Sequence, residues 1–113
     1  MIACDCPVCT SADPRDKRTR TSVVFSYDQR NILIDTAPEL RLQCVAHGIA
    51  HVDAICYTHA HADHVVGLDD VRRFNYLQDR AIDVYGDATT LRRVQKMFAY
   101  AFHSDAGYPS AIP

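Results

Sequence analysis

A stretch of eight residues, from Tyr57 to His64, limits what this chain can be more than any other part of it. An apolar run from Val52 leads into the stretch, and a short run of this kind, β-branched and aromatic in part, is typical of a buried strand. Open α/β sheets place their sites at the carboxyl ends of strands. Imidazole and carboxylate groups follow in the order H-x-H-x-D-H, at His59, His61, Asp63 and His64.

None of these four side chains is a good core residue, so packing does not explain the cluster. A single histidine there would be interpreted as a hydrogen-bonded surface group, but three with an aspartate indicate a metal site. Zinc, manganese and iron all accept these ligands. His59 and His61 are two positions apart, so an extended backbone points both the same way. Asp63 and His64 follow after the chain starts to turn, and can face a second ion.

A second cluster lies at the start of the chain, where Cys4, Cys6 and Cys9 have the spacing C-x-C-x-x-C. Thiolates at this spacing are typical of zinc binding. A structural zinc wants four ligands, so the fourth would come from elsewhere in the fold. The alternatives are surface thiols, or one disulfide with a thiol left over. Cys44 and Cys56 are predicted to be small buried hydrophobes.

Composition excludes several classes of protein. The net charge is -2 and the pI about 6.3, so a broad cationic face for nucleic acid is not expected. No apolar run approaches the ~20 residues that span a bilayer, and the first residues do not form a signal peptide. We therefore expect a cytoplasmic protein without a membrane partner, in a compartment where cysteines stay reduced.

The remaining pattern predicts a hairpin, a helix, the strand before the metal cluster, and then helix, strand and helix. The hairpin strands are 21–27 and 31–35. The first helix would begin at a capping box that starts at Thr36 and end at Gly48. Later apolar positions at helical spacing predict two more helices, one with Leu68, Val71, Phe74 and Leu77, and one that starts near Asp87 and carries Leu91, Val94, Phe98 and Phe102.

The loop from Ser11 to Thr21 is polar and basic. Charge runs of this kind are usually solvated. The alternative is that Arg18 or Arg20 neutralises a phosphate of the substrate.

The two clusters together carry a resemblance to a known family. The run from His59 to His64, followed by Gly67 and Leu68, resembles the signature of the metallo-β-lactamase-fold hydrolases. The cysteine triplet and residues 13–22 are similar to the branch that holds the phosphoribosyl 1,2-cyclic phosphate phosphodiesterase. The implied fold is α/β: half of an αββα sandwich, with a mixed sheet and helices on one face.

The resemblance also implies roles for individual residues. His59 and His61 would hold one catalytic metal, and Asp63 with His64 the other, as zinc or manganese. Asp35, at the end of the second hairpin strand, would lie beneath the loop from His59 to His64 (the metal loop) and help to orient it. Cys4, Cys6 and Cys9 would hold a structural zinc, completed by a histidine from late in the chain.

The implied activity is hydrolysis of a small (cyclic) phosphodiester by a hydroxide that two metals activate, with Asp63 among the catalytic residues. Hydrolysis of thioesters, β-lactams or RNA ends by the same fold is one alternative, and a non-catalytic metal-binding fragment or assembly partner is another. The family's later metal ligands have no match after His64. We therefore expect one partial domain over 1–113, with a cysteine-rich segment and polar loop at 1–20 and the N-terminal half of the sandwich at 21–113. Such a half would associate with itself or with a missing C-terminal half.

Overall fold

A four-stranded mixed sheet organises the computed structural model, which describes residues 2–102. The strands follow one another in space as they do in sequence: β1 (Val23–Tyr27), β2 (Arg30–Ile34), β3 (Ala54–Cys56) and β4 (Asp83–Tyr85). β1 and β2 are antiparallel, whereas β3 and β4 continue the sheet in parallel. The predicted mixed sheet is confirmed.

The hairpin turn is tighter than the sequence suggests. Only Asp28 and Gln29 lie between the strands, because Arg30 already pairs with Tyr27. The φ angles of Asp28 and Gln29 are 48° and 60°, and two successive left-handed residues form the turn that matches the twist of a hairpin.

Within residues 2–102, six helices accompany the sheet: α1 (Pro7–Thr10), α2 (Leu40–His47), α3 (Ala62–Val65), α4 (Arg72–Gln78), α5 (Ala88–Met97) and α6 (Ala99–Phe102). Shorter 3₁₀ segments lie at Pro14–Asp16 and Val66–Val71. No helix within residues 2–102 is long and apolar enough to cross a membrane.

Helix α2 begins later than predicted. Its first residue is Leu40, and the Thr36 hydroxyl does not cap it. That hydroxyl instead lies 2.8 Å from the Tyr57 hydroxyl and donates to the Val65 carbonyl at 3.1 Å. The predicted capping box is therefore wrong, because tertiary contacts take up the Thr36 side chain. The predicted stop is confirmed, since Gly48 follows the helix with a φ of 64°.

The hydrophobic core lies on one face of the sheet. Val24, Leu33, Ile55 and Val84 stand side by side across the four strands, and all belong to or pack against one apolar cluster. Helices α2 to α6 contribute to the same cluster, so the predicted placement of the helices on one face is confirmed.

The opposite face of the sheet is open. Its aromatic side chains, Phe25, Tyr27 and Tyr85, are 58%, 76% and 54% exposed, and Val23 beside them is 51% exposed. Ile32 and Ile34 on the same face are half-buried. Apolar side chains at this density on a strand face are typical of a surface that packs against something else.

Helix α4 does not bury all the apolar positions that its spacing predicted. Leu77 is 52% exposed, whereas the polar Asn75 is 3% exposed. The segment up to Val71 is a 3₁₀ helix, which has three residues per turn rather than 3.6. This change in pitch rotates α4, so the spacing that begins at Leu68 no longer predicts its buried side.

Candidate metal centre

The histidine cluster lies at the carboxyl ends of two adjacent parallel strands. Asp35 follows β2, and Thr58 and His59 follow β3. Ile34 pairs with Cys56 where the strands end, and the Asp35 N–H donates to the Cys56 carbonyl at 3.0 Å. Residues from two distant parts of the sequence therefore meet at one edge of the sheet.

The three histidine rings stand together. The centroid of the His59 ring lies 4.1 Å from that of His64 and 4.6 Å from that of His61. His61 precedes helix α3 with extended φ and ψ of -74° and 149°, so Asp63 and His64 fall within the first turn. The Asp63 carboxylate lies 3.6 Å from Nε2 of His64. The local chain thus turns between the two predicted pairs of ligands, as the spacing predicts.

Asp35 supports the cluster from below. Its carboxylate accepts hydrogen bonds from the Thr58 N–H at 2.8 Å and the Thr58 hydroxyl at 2.7 Å. It also lies 2.7 Å from Nδ1 of His64. Burial raises the pKa of Asp35, but the hydrogen bonds from Thr58 and His64 outweigh it and hold this pKa below its usual value. With Nδ1 of His64 as a donor to this carboxylate, the lone pair of Nε2 is left for another partner.

The atoms that could hold an ion form a compact set. Donor atoms of Asp35, His59 and His64 all lie within 4.8 Å of one another. His61 and Asp63 are exposed beside this set, and neither belongs to it. Imidazole nitrogens with a carboxylate suit zinc and other divalent transition metals. The donor set therefore fits a metal, while the division of ligands between two ions stays a prediction.

Thr58 is a residue of this site that sequence reasoning missed. Besides its two bonds to Asp35, its hydroxyl lies 2.9 Å from Nδ1 of His59. A hydroxyl residue directly before the first histidine was the signal that could have identified it.

Thr36 ties the metal loop to β2 and was also missed. Its N–H donates to the His64 carbonyl at 2.7 Å, and its carbonyl accepts from the Gly67 N–H at 3.0 Å. Gly67 fits only without a side chain, because a Cβ there would lie 2.2 Å from the Ala37 carbonyl oxygen. These contacts hold the backbone of helix α3 and of the segment directly after it.

The cysteine triplet is also brought together. The sulfur atoms of Cys4, Cys6 and Cys9 lie within 4.8 Å of one another, around the single turn of α1. Hydrogen bonds lower the pKa of Cys6 to about 7, the largest from the backbone of Cys9 and the next from the thiol of Cys4. Three converging sulfur atoms fit zinc, and their role as its ligands stays a prediction. Cys44 is buried as predicted, whereas Cys56 is half-buried on the open face.

The basic loop has its own local partners. Arg15 pairs with Asp13 at 2.6 Å, and Arg20 pairs with Glu39, the residue before α2. Both arginines are exposed. The loop therefore has the character of a solvated surface segment, and phosphate binding by Arg18 or Arg20 stays a prediction.

Comparison with known proteins identifies the family. Residues 30–112 match the model of a family described as a Beta-lactamase superfamily domain, which is well over half of the chain. The chain belongs to the beta-lactamase superfamily. The predicted resemblance is therefore confirmed.

Two solved structures of similar proteins support this membership. One is a diphosphatase from the PhnP family, 45% identical, with a TM-score of 0.85 over 90% of this chain and 41% of that one. The other is the Zn²⁺-bound PqqB from Methylobacterium extorquens, 26% identical, with a TM-score of 0.65 over 83% of this chain and 34% of that one. Divalent metal binding in this superfamily thus has a direct structural precedent.

Two curated proteins that are similar to this chain are named for different activities. An octanoyltransferase from Porphyromonas gingivalis is 40% identical over 109 residues, which is 96% of this chain but 22% of that protein. A ribonuclease Z from Clostridium acetobutylicum is 42% identical over 62 residues, 53% of this chain and 20% of that protein. The chain spans about a fifth of these two relatives and 41% or less of the two solved structures.

Proposed function

We propose that this chain belongs to a metal-dependent phosphodiester hydrolase that acts on a small substrate. The observation that carries the proposal is the meeting of Asp35, His59 and His64 within 4.8 Å at the strand ends. The PhnP-family diphosphatase, 45% identical over most of this chain, supports phosphorus-oxygen bond chemistry. The proposed substrate is a small (cyclic) phosphodiester.

Each residue of the cluster has a role in this proposal. His59, His61, Asp63 and His64 would be ligands of two divalent ions. Asp35 would hold the proton of His64 at Nδ1 and so keep Nε2 available as a ligand, and Thr58 would fix the carboxylate of Asp35 and the ring of His59 together. The ligands that two ions need beyond these four would be water or groups outside the cluster.

Divalent ions bound there would supply Lewis acidity, which lowers the pKa of water toward ~7 and offsets negative charge on phosphorus oxygens. The protein supplies the orientation. The buried carboxylate of Asp35 would hold the His64 ring, and the Thr36 N–H would hold the His64 carbonyl. Little reorganisation would then be needed when an ion enters.

The first experiment measures metal binding and turnover in the same preparations. Titration calorimetry with Mn²⁺ and Zn²⁺ would be followed by hydrolysis of bis(p-nitrophenyl) phosphate. We expect His59→Ala and His64→Ala to weaken metal binding by at least about tenfold and to abolish any turnover. His47→Ala is the matched control, because His47 is exposed at the end of α2 and remote in sequence from the cluster.

The results separate the remaining interpretations. Tight metal binding that depends on His59 and His64 without turnover would favour the non-catalytic metal-binding alternative. Mn²⁺ binding that survives both substitutions would remove the cluster from the proposal altogether, whereas residual Zn²⁺ binding would belong to the cysteine triplet.

Cleavage of RNA is a second candidate, favoured by the several ribonuclease Z relatives, of which one is 42% identical over 62 residues. The net charge of -2 argues against a broad RNA-binding face. A hairpin RNA with a 3′ extension, assayed beside the aryl phosphodiester, discriminates between the two. Faster cleavage of RNA, with a rate that falls steeply with salt, would favour the nuclease.

We also propose that the three cysteines hold a structural zinc. Native mass spectrometry should find one zinc fewer in Cys6→Ser and no loss in Cys56→Ser, because Cys56 lies on the open face of the sheet instead. Retention of the same zinc in Cys6→Ser would contradict this assignment.

A further inference from the structure

The backbone of Asp35 departs from the sheet in a specific way. Its N–H donates to the Cys56 carbonyl of β3 at 3.0 Å, as in a parallel ladder. The next bond of such a ladder would run from the Thr58 N–H back to the Asp35 carbonyl. The Thr58 N–H donates instead to the Asp35 carboxylate, at 2.8 Å. The side chain of Asp35 therefore takes the place that its own carbonyl would have in the sheet.

The carbonyl of Asp35 is directed toward β1 and accepts a hydrogen bond from Ser22. The left-handed φ of 58° at Asp35 turns the chain at this point, and the Ser22 hydroxyl donates to the carbonyl at 2.5 Å. The same hydroxyl lies 3.4 Å from the Ile34 carbonyl, so Asp35 provides its principal acceptor. Ser22 directly precedes β1, and continuing the register of Val23 with Ile34 places it opposite Asp35.

The segment that carries Ser22 is fixed on helix α2. The Arg20 side chain pairs with Glu39, and the Arg20 N–H donates to the same carboxylate at 3.3 Å. The Arg20 carbonyl accepts from the side-chain amide of Gln43 at 2.7 Å. Because the backbone is held two residues before Ser22, its hydroxyl needs little further ordering to reach Asp35.

Loss of the Ser22 hydroxyl would leave the Asp35 carbonyl without this donor. A carbonyl without a partner is stabilised by turning back toward β3, where the Thr58 N–H can donate to it. The Asp35 carboxylate would then lose one of its three donors and its fixed position beneath His64. Without a fixed acceptor at Nδ1, the proton of the His64 ring can move to Nε2.

We propose that Ser22 is a positioning residue of the metal centre. By holding the Asp35 carbonyl, it keeps the Asp35 carboxylate beneath His64 and leaves Nε2 of His64 free for an ion. This inference rests on the proposed role of His64 as a metal ligand. The Ser22 hydroxyl bonds to backbone carbonyls, so it acts through Asp35. A purely structural role would change the stability of the hairpin and leave the His64 ring as it is.

The acceptor of the Thr58 N–H is the first readout, in metal-free protein. Scalar coupling across the hydrogen bond, measured by NMR from the Thr58 amide nitrogen, should reach the side-chain carboxyl carbon of Asp35. In Ser22→Ala it should reach the backbone carbonyl carbon of Asp35 instead. Coupling to the carboxyl carbon in both proteins overturns the proposal. Coupling to the backbone carbonyl carbon in the unsubstituted protein also overturns it, and that result needs no variant to fold.

The tautomer of His64 is the second readout. In Ser22→Ala, the ¹⁵N shifts of the metal-free ring should show a mixture of tautomers, and Mn²⁺ binding should weaken about tenfold, the lower end of the effect of losing a group behind a ligand. Ser26→Ala is the matched control, because the Ser26 hydroxyl donates to the Asn31 side chain at 2.7 Å, toward the other end of β1. An unchanged tautomer in Ser22→Ala, or the same change in Ser26→Ala, overturns the proposal.

Ser22→Thr and Ser22→Val separate the hydroxyl from the shape of the side chain. The two new side chains have nearly the same shape, and threonine alone has a hydroxyl. Ser22→Thr should keep the tautomer and the Mn²⁺ affinity, whereas Ser22→Val should behave like Ser22→Ala. Equal behaviour of the two would assign the effect to side-chain volume and overturn the proposal. Absence of Mn²⁺ binding in the unsubstituted protein would contradict the proposed function alone, because the tautomer and the Thr58 acceptor are measured without metal.

Discussion

The imidazole of His64 and the carboxylate of Asp35 form a hydrogen bond of 2.7 Å between residues 29 positions apart in the sequence. Asp35 is buried and has a φ of 58°, a conformation that non-glycine residues adopt at a cost. This strained residue lies where β2 meets the metal loop. Strained backbone of this kind clusters at functional sites.

Asp35→Asn should weaken metal binding by about 10–100-fold. The carboxylate faces three donors, two from Thr58 and one from His64. The NH₂ group of an asparagine would face a donor in either orientation. It would either meet the Thr58 N–H, donor against donor, or require Nδ1 of His64 to accept a hydrogen bond. The second arrangement puts the proton of His64 on Nε2, where the metal should bind.

Calorimetry and the ¹⁵N shifts of the His64 ring in the metal-free protein would measure these two effects. Asp28→Asn is the matched control, because Asp28 has a similar φ of 48° in the exposed hairpin turn. Unchanged affinity and an unchanged His64 tautomer in Asp35→Asn would contradict the orienting role.

Gly67→Ala should destabilise the fold more than the same substitution at Gly48 or Gly86, the other glycines within residues 2–102. The new Cβ would lie 2.2 Å from the Ala37 carbonyl oxygen and 2.9 Å from Cβ of Leu40. The backbone at Gly67 or Ala37 would have to move. Overpacking of this kind lowers the free energy of unfolding by about 1–3 kcal/mol.

Thermal unfolding would then show a fall in Tm of roughly 4–8 °C for each kcal/mol in a domain of this size. Gly48→Ala is the comparison, since its φ of 64° imposes strain but its Cβ would meet nothing within 4 Å. That variant should lose about 1 kcal/mol. A smaller loss at Gly67 than at Gly48 would mean that the close packing against α2 is not rigid.

Tyr57→Phe should lower the free energy of unfolding by about 1 kcal/mol. The Tyr57 hydroxyl is buried against Thr36, which in turn donates to Val65. Removing it leaves Thr36 with its donor satisfied and one acceptor site unused, which is a modest loss. Chemical denaturation would measure the change.

The same residue should make the fold sensitive to alkali. Burial, above all, and the negative charge of Asp35 raise the pKa of Tyr57 above its usual value of 10.0, although the hydrogen bond with Thr36 lowers it. Because the folded pKa is the higher one, stability is fully present below pH 10 and is lost as the pH rises above it. Tyr57→Phe should remove this loss, whereas Tyr76→Phe, at an exposed position, should not.

The sequence predicted best what is local. His59, His61, Asp63 and His64 lie within six residues, so their spacing alone predicts that they stand together at the end of β3. The cysteine triplet is local in the same way, and short apolar runs, β-branched and aromatic in part, predicted the strands.

What the sequence did not predict depends on contacts between distant residues. Thr36 has the pattern of a helix cap, yet Tyr57 and Val65 take its hydroxyl, and nothing in the local pattern indicates this. Leu77 and Asn75 exchange their expected environments because a 3₁₀ segment precedes α4. Periodicity cannot anticipate that change in pitch.

The contribution of Asp87 to the stability of the fold should depend on pH and be lost in acid. It caps α5, where its carboxylate accepts hydrogen bonds from the N–H groups of Thr89 and Thr90 and from the Thr90 hydroxyl. The hydroxyl of Thr90 contributes most to lowering the pKa of Asp87 below its usual 3.8. Because the folded pKa is the lower one, the stability is present above pH 4 and is lost as the pH falls through the folded pKa.

Asp87→Ala should therefore lower Tm at neutral pH and flatten its fall in acid. Asp87→Asn separates the two effects, because an asparagine caps about as well without titrating. It should keep the Tm at neutral pH and lose only the acid dependence at this site. The same acid dependence in all three proteins would assign it to other carboxylates.

The open face of the sheet should cause weak self-association. Aromatic side chains bury about 150–250 Å² when fully covered, and Phe25, Tyr27 and Tyr85 are all more than half exposed there. They leave roughly 300 Å² of their surface in water, and the half-buried Ile32 and Ile34 add to it. A face of this size approaches the lower range of specific interfaces, below about 1,200 Å² in total for two copies, so a second copy should bind transiently.

Sedimentation velocity over a concentration range of about a hundredfold would detect this as a rising average mass. Phe25→Lys should shift the protein toward monomer, because two copies would bring lysines together at the centre of an apolar contact. Tyr76→Lys is the control, at an exposed aromatic residue of α4. A monomer at every concentration would show that this face stays in water, and equal effects of the two substitutions would show that the contact lies elsewhere.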